Sequence, residues 1–165
     1  MFTIKEDSGN RKSKEDFLKL PTHITKGIRM GAYISGKQLV KSLRDDMNKP
    51  KSGRTYRKYK GVSGALSRPK LYKASSPNQT PAVVTGQFRK SIGFKVVGNK
   101  SLEFGSGSDG LAKAYAQILE EGSSKMAARK PLGRTVAKFG NKVNTNITKE
   151  INKQIRSLGV NLTNR

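Results

Sequence analysis

Apolar positions repeat with helical spacing in two long segments of the chain. From Ile24 to Met47, apolar or small side chains follow at steps of three and four residues, after a proline at position 21 that suits the first turn of a helix. The same steps recur from Leu132 to Leu158 and end before Gly159, a residue type common just after helices. The spacing predicts one helix over residues 21–48 and a long amphipathic helix at the C-terminus.

Between these segments the pattern changes to alternation. Apolar residues from Phe88 to Phe104 approximate a two-residue period, and Gly98 with Asn99 supplies a turn, so a β-hairpin is predicted. A short helix is expected from Asp109 to a stop at Gly122. Its inner side is predicted to carry Leu111, Tyr115, Ile118 and Leu119. The predicted fold class is α+β, a small antiparallel sheet packed against a long N-terminal helix and a long C-terminal amphipathic helix.

A length of 165 residues predicts a single domain with one modest core, placed at residues 21–160. Residues 1–20 mix both charge signs without an apolar period and are predicted to form a flexible arm, and residues 161–165 a short tail. Residues 48–81 are rich in proline and glycine and lack any period. They are predicted to form a long basic loop or an extended hairpin.

The charge of the chain is strongly positive and unevenly distributed. Lysine and arginine number 34 against 11 acids, for a formal net charge of +23, and no acid occurs from Met47 to Leu102. A positive net charge of this size attracts polyanions or acidic proteins. Tyr56, which lies among the cations of this segment, is able to stack on bases. Contact with DNA phosphate and contact with an acidic protein both remain open. The candidate contact residues are Arg54, Tyr56, Arg57, Lys58, Lys60, Arg68, Lys70 and Lys73.

Residues for catalysis and for metal binding are scarce. The chain has no cysteine and one histidine, His23, and the adjacent Glu120 and Glu121 point about 100° apart on a helix. The sequence "GSGSDG" at 105–110 lacks the lysine of a phosphate-binding loop, which favours a plain turn. We therefore predict no enzyme activity, no metal and no cofactor. No apolar stretch approaches the roughly 20 residues of a membrane span, so no membrane partner is expected.

Short motifs occur in a defined order between Gly53 and Val136. Together they resemble the neck or tail-completion proteins of long-tailed bacteriophages, typified by the minor tail component of lambdoid siphophages. Asn78 stands where that family has glycine, Phe88 where it has leucine, and Lys130 displaces the proline that follows Arg129. The matching residues are Gly53, Arg54 and Tyr56; Ser76, Pro77 and Pro81; Thr85, Gly86, Arg89, Ser91 and Ile92; and Tyr115, Ala116, Glu120, Gly122, Met126 and Arg129.

The resemblance implies a structural virion protein of the head-to-tail joint, made in the host cytoplasm, and not an enzyme. It implies a homo-oligomer, a hexameric ring, that closes the head-proximal end of the tail and helps couple it to the capsid. Implied partners are the head-closure, tail-terminator and tape-measure proteins, together with contact to genomic DNA. The alternative from another class is a free basic nucleic-acid-binding protein.

The segment before the last helix is a candidate hinge or inter-subunit contact. Gly122 is expected to end the short helix and Pro131 to begin the last one. Glu120 and Glu121 are expected to be anchored by the basic turn from Lys125 through Arg129 to Lys130, or by an arginine of another subunit. The hinge then sets the angle between sheet and helix and thereby the ring geometry. The alternative is an exposed helix end without a partner.

Overall fold

The computed structural model describes residues 8–58, 70–77, 79–83, 86–98, 101–107 and 110–158. Within them the fold is α+β, with a long helix near each end and two small antiparallel sheets between, which confirms the predicted class. The elements in chain order are α1 (Ser8–Asn48), β1 (Thr55–Lys58), β2 (Lys70–Lys73), α2 (Gln87–Ser91), β3 (Ile92–Val97), β4 (Ser101–Ser106), α3 (Gly110–Glu121) and α4 (Pro131–Arg156).

Helix α1 is longer than the apolar spacing predicted. The predicted start near residue 21 is wrong, because the helix already begins at Ser8 and passes through Pro21. Residues 8–20 contain lysine, glutamate and leucine, which favour helix even without an apolar period, so periodicity missed this extension. The predicted arm is therefore helical from Ser8 onward, and residues 1–7 lie outside the described part of the chain.

The chain divides into two compact units. The first draws on the described residues within Met1–Ser35, Val96–Leu102 and Asn141–Arg165, and the second on those within Gly36–Lys95 and Glu103–Gly140. Both long helices contribute to both units, since α1 and α4 each continue from one into the other. The single-domain boundaries drawn from the sequence stay a prediction.

In the first unit, α1 and α4 approach closely in antiparallel orientation. A Cβ built on Gly31 would lie 2.5 Å from the Ile147 Cα, and one on Gly27 would lie 2.6 Å from the Ile151 Cα. The buried Ser35 hydroxyl donates to the Gly31 carbonyl at 2.8 Å and accepts a hydrogen bond from Asn146 Nδ2 at 3.1 Å. Glycines at these positions let the helix backbones touch, which no larger side chain permits.

The second unit contains the apolar core. Its fully buried centre brings α1 together with α2, β3 and α3, and the helical spacing of α1 explains why its members share one face. The buried members are Leu43, Met47, Phe88, Ile92, Ala116 and Leu119, with Val40, Phe104, Met126 and Leu132 packed against them.

Phe88 belongs to a helical turn rather than to the predicted strand. Gly86, at φ 82°, precedes α2, and the Lys90 N–H donates to the Gly86 carbonyl at 2.9 Å. The predicted hairpin is confirmed from Ile92 onward as β3 and β4, with Gly98 at φ 56° where the turn begins. Asn99 lies outside the described residues.

An α1 side chain holds the junction between α2 and β3. Arg44 Nε donates to the Arg89 carbonyl at 3.2 Å, and an Arg44 terminal nitrogen donates to the Ile92 carbonyl at 2.9 Å. The Ser91 hydroxyl lies 2.7 Å from the Ser106 hydroxyl on β4. The charged donor therefore satisfies the Arg89 carbonyl in the last turn of α2, which has no partner within so short a helix, and the first carbonyl of β3.

The inward face of α3 agrees with the prediction at Leu119 but not at Tyr115 and Ile118. Ala116 and Leu119 are buried, whereas Tyr115 and Ile118 are 44% and 42% exposed. The Tyr115 ring packs edge-on against Phe88, with centroids 5.7 Å apart. The predicted inward position of Tyr115 and Ile118 is therefore wrong, because the small Ala116 allows α3 to lie close to the core. The side chain of Leu111 is outside the described set.

The C-terminal helix is confirmed. Helix α4 begins at Pro131 and covers 26 residues to Arg156. Its apolar positions are buried or partly buried except Val136, which is 49% exposed. The predicted stop at Gly159 lies outside the described residues.

Candidate functional site

The basic segment forms a two-stranded ribbon, which we call the basic hairpin (β1 with β2). The strands pair antiparallel, with Tyr56 opposite Tyr72 and Arg57 opposite Leu71. The ladder continues beyond the strands, because Gly53 N–H donates to the Ala74 carbonyl and Ala74 N–H donates to the Arg54 carbonyl, both at 2.9 Å. Of the two predicted forms, an extended hairpin rather than a loop is therefore confirmed at these residues.

One face of the basic hairpin carries stacked aromatic rings beside a cation. The Tyr56 and Tyr72 rings stack with centroids 5.7 Å apart and planes 25° from parallel. The Arg54 guanidinium carbon lies 5.9 Å from the Tyr56 ring centroid, a cation–π distance. Alternation along the strand places Arg54 and Tyr56 on this same face. Tyr56 is 45% exposed, so the face is open to solvent.

The other face of the basic hairpin is exposed and cationic. Arg57 and Lys73 are exposed, and the exposed Leu71 pairs with Arg57 across the ribbon. Among the described residues, no carboxylate lies within 4 Å of the charged groups of Arg54, Arg57 or Lys73. Unneutralised charge on an exposed ribbon favours binding to an anionic partner.

The structure places only part of the predicted contact set. Arg54, Tyr56, Arg57 and Lys73 lie together on the basic hairpin, and the register pairs the backbones of Lys58 and Lys70. The remaining members of the set, Lys60 and Arg68, lie outside the described residues.

The root of the basic hairpin is held by polar contacts. Gln79 Oε1 accepts hydrogen bonds from the backbone N–H groups of Ser52 and Ser76, both at 3.1 Å. The Arg129 guanidinium donates to the buried Ser75 hydroxyl. Arg129, predicted as a hinge residue, therefore anchors the segment that follows β2.

A cationic cavity beside this root was missed by sequence reasoning. It measures about 510 Å³ and is lined by Gln79, by Lys49 and Lys51 from the segment after α1, and by Arg134 and Lys138 of α4. Lys49 and Lys51 belong to the segment from Met47 to Leu102 that contains no acid. Nothing in the sequence indicates that they lie near α4 residues more than eighty positions later. Only the packing of the last helix brings these charges together.

Glu120 caps the N-terminus of α4. Its Oε1 accepts a hydrogen bond from the Leu132 N–H at 2.5 Å, and its Oε2 lies 3.4 Å from the Gly133 nitrogen. This main-chain anchor differs from the basic turn of the same chain that was expected for Glu120, and the alternative, an arginine of another subunit, stays a prediction. Free N–H groups at a helix start, together with the positive end of the helix dipole, provide the stronger local partner for a carboxylate.

The turn between α3 and α4 is fixed by its backbone. Helix α3 ends at Glu121, and Gly122, at φ 87°, donates its N–H to the Ile118 carbonyl at 2.8 Å, as predicted for a helix stop. The N–H groups of Arg129 and Lys130 both donate to the Leu119 carbonyl, at 2.8 and 3.0 Å. Pro131 then starts α4, which confirms that prediction.

Two predicted hinge residues remain on the surface. Glu121 is exposed and accepts a hydrogen bond from Gln117 Nε2 at 3.1 Å. Lys125 is exposed at the tip of the turn, where its backbone N–H donates to the Ser123 hydroxyl. Contact of either side chain with another subunit stays a prediction.

Across the described ranges, no group of three or more histidines, aspartates or glutamates is arranged to hold a metal ion. None of the helices in the described part combines the length and the apolar character needed to cross a membrane. The chain matches no protein-family model, no curated protein and no solved structure.

Proposed function

We propose that this chain is a structural virion protein of the phage head-to-tail interface, a neck or tail-completion subunit. In this proposal, identical subunits form a hexameric ring that closes the head-proximal end of the tail and helps couple it to the capsid. Head-closure, tail-terminator and tape-measure proteins are its neighbours, and the exiting genome is a further contact.

The observation that carries the proposal is an apolar face left uncovered on α3. Tyr115 and Ile118 lie three residues apart, hence on one side of the helix, and each is more than 40% exposed. On α4, Val136 is also exposed at 49%. Apolar side chains that a subunit does not cover are typical of an interface with another protein. A ring requires such a face on every copy.

The motif residues support the same proposal through their structural roles. Gly53 is needed at the hairpin root, because a Cβ there would lie 2.5 Å from the Ala74 carbonyl oxygen. Gly122 adopts φ 87° at the helix stop, and Glu120 caps α4. These matches to the resembled family are the positions at which this fold changes direction, so a shared order of motifs is consistent with a shared architecture.

Mass photometry of the purified protein tests the ring. The expected species is near six times the 18.1 kDa subunit mass, and Ile118→Lys is expected to shift it to the monomer because a charge is buried at the interface. Val97→Lys is the matched control: it adds the same charge at a side chain of similar exposure on β3 and is expected to leave the ring intact. A monomer at every concentration that also fails to copurify with tail proteins contradicts the proposal.

The second candidate is a free nucleic-acid-binding protein, favoured by the aromatic and cationic face of the basic hairpin. Exposed rings beside arginine are the groups that bind nucleic acid through stacking and phosphate contact. This candidate predicts a monomer that binds duplex DNA with a steep salt dependence. The mass measurement and a salt titration, carried out on the same sample, separate the two functions.

A further inference from the structure

The cationic cavity at the root of the basic hairpin has the composition of an anion site. Among the described residues that line it, four side chains carry positive charge, Lys49, Lys51, Arg134 and Lys138, and one, Asp46, carries a carboxylate. The cavity lies entirely within the second unit, so one subunit is enough to build it. Its charge balance is therefore that of a site for a ligand with more than one negative oxygen.

The one carboxylate is already neutralised. Lys49 Nζ contacts Asp46 Oδ1 at 2.5 Å, and this pair raises the pKa of Lys49. Lys51 Nζ donates to the Asp46 backbone carbonyl at 2.9 Å, which uses one of the three ammonium donors. Burial lowers the pKa of Lys51, a cost that a bound anion would offset. Lys51 and Lys138 thus keep positive charge in the cavity after the pair of Lys49 and Asp46 has formed.

A neutral donor also lines the cavity. Gln79 lines the cavity, and its Oε1 is held by two backbone N–H groups, which leaves the Nε2 hydrogens as donors. The N-terminus of α4 contributes little, because Glu120 already occupies the Leu132 N–H. The attraction for an anion therefore comes from side chains rather than from the helix dipole.

The position of the cavity indicates which anion it binds. Lys51 stands two residues before Gly53, where the ladder of the basic hairpin begins, and Gln79 bonds both Ser52 and Ser76 at its root. The cavity and the exposed cations of the hairpin are thus adjacent along the chain and meet at the hairpin root. A DNA backbone presents its anions as a regular row, which suits cations that follow one another from the cavity to the basic hairpin, whereas an acidic peptide has no fixed spacing of charge.

We propose that this cavity binds a phosphate of a DNA duplex whose next phosphates lie along the basic hairpin. Lys51 and Arg134 contact the phosphate oxygens, Gln79 donates its amide hydrogens, and Lys138 supplies further positive charge. This binding does not require the ring proposed above, because every contact comes from one subunit.

Fluorescence anisotropy with a labelled 20-bp duplex tests the site. The test variant is Lys51→Gln with Arg134→Gln, and the matched control is Lys26→Gln with Arg29→Gln, which removes the same two charges from exposed positions on α1. The test variant is expected to bind at least about tenfold more weakly, with a salt slope shallower by about 1–2, whereas the control changes affinity by less than about threefold.

Each other outcome overturns the proposal. Equal weakening by both double variants shows that only the overall charge matters. Unchanged binding by the test variant shows that the cavity holds no phosphate. Tighter capture of polyglutamate than of the duplex at matched salt, lost in the test variant, assigns the cavity to an acidic protein. Circular dichroism checks that the variants are folded. Arg134→Lys retains the charge and is expected to keep most of the affinity that Arg134→Gln loses.

None of these results depends on the subunit mass, so they are independent of the ring test.

Discussion

The Glu120 carboxylate accepts a hydrogen bond from the Leu132 N–H at 2.5 Å, so the end of one helix caps the beginning of the next. The Leu119 carbonyl, one residue earlier, accepts the N–H groups of Arg129 and Lys130. Through these contacts, the last turn of α3 binds both the segment before α4 and the first turn of α4. A change in the angle between the two helices must strain the cap, and the role of this turn in the geometry of the proposed ring stays a prediction.

Removal of the cap is expected to destabilise the protein. Glu120→Ala should lower the free energy of unfolding by about 1–2 kcal/mol, because it removes both the hydrogen bond and the charge at the helix start. Urea denaturation followed by circular dichroism measures the change. Glu121→Ala is the control, since Glu121 is exposed and bonds only a neighbouring side chain among the described contacts, and it should cost less than about 0.5 kcal/mol. Equal effects of the two variants contradict a specific capping role.

The close approach of α1 and α4 gives a second prediction. Gly31→Ala should destabilise the protein by about 1–3 kcal/mol, because its Cβ would lie 2.5 Å from the Ile147 Cα and force the helices apart. Gly140→Ala should have the opposite sign, a gain of about 0.5–1 kcal/mol, since nothing lies within 4 Å of that Cβ and alanine favours helix. Thermal unfolding of both variants provides the measurement, and a stabilised Gly31→Ala variant shows that the helices do not touch there.

Arg44 gives a third prediction. Arg44→Met keeps most of the apolar stem but removes the donors to the Arg89 and Ile92 carbonyls, so a loss of about 1.5–3 kcal/mol is expected. Lys41→Met, at an exposed position one turn earlier on α1, serves as the control and should change stability by less than about 0.5 kcal/mol. Chemical denaturation compares them. If Arg44→Met unfolds at the wild-type urea concentration, the carbonyls find other donors and the junction does not depend on this arginine.

The stacked tyrosines give a fourth prediction, on binding preference. Tyr56→Leu should weaken binding of a 20-nucleotide single strand by about 1–3 kcal/mol, because a ring that can stack on an exposed base is lost. Duplex affinity should change little, since paired bases are not available for stacking. Leu71→Ala, on the opposite face of the basic hairpin, is the control and should affect neither substrate. Anisotropy titrations measure both, and equal losses for single strand and duplex indicate that Tyr56 acts through hairpin stability.

The residue pattern predicted some elements of the fold correctly and others incorrectly. The apolar face of α1 from Ser35 to Met47 is buried as its spacing predicted, and the long α4 begins at the predicted Pro131. Phe88 fits an alternating pattern yet lies in the helical turn α2, because the positive φ of Gly86 reverses the chain before it. Local patterns predict a whole amphipathic helix well, but a single residue at a junction follows backbone geometry instead.

For the candidate site, the sequence by itself determined the concentration of positive charge and the presence of aromatic rings within residues 54–73. Those properties depend on composition and order alone. The tertiary structure decided that Tyr56 stacks on Tyr72, that Arg134 and Lys138 join Lys51 around one cavity, and that Glu120 binds main-chain N–H groups rather than lysines. The physical reason is that these contacts join residues distant along the chain, and their partners are selected by strand register and helix packing, which no local period encodes.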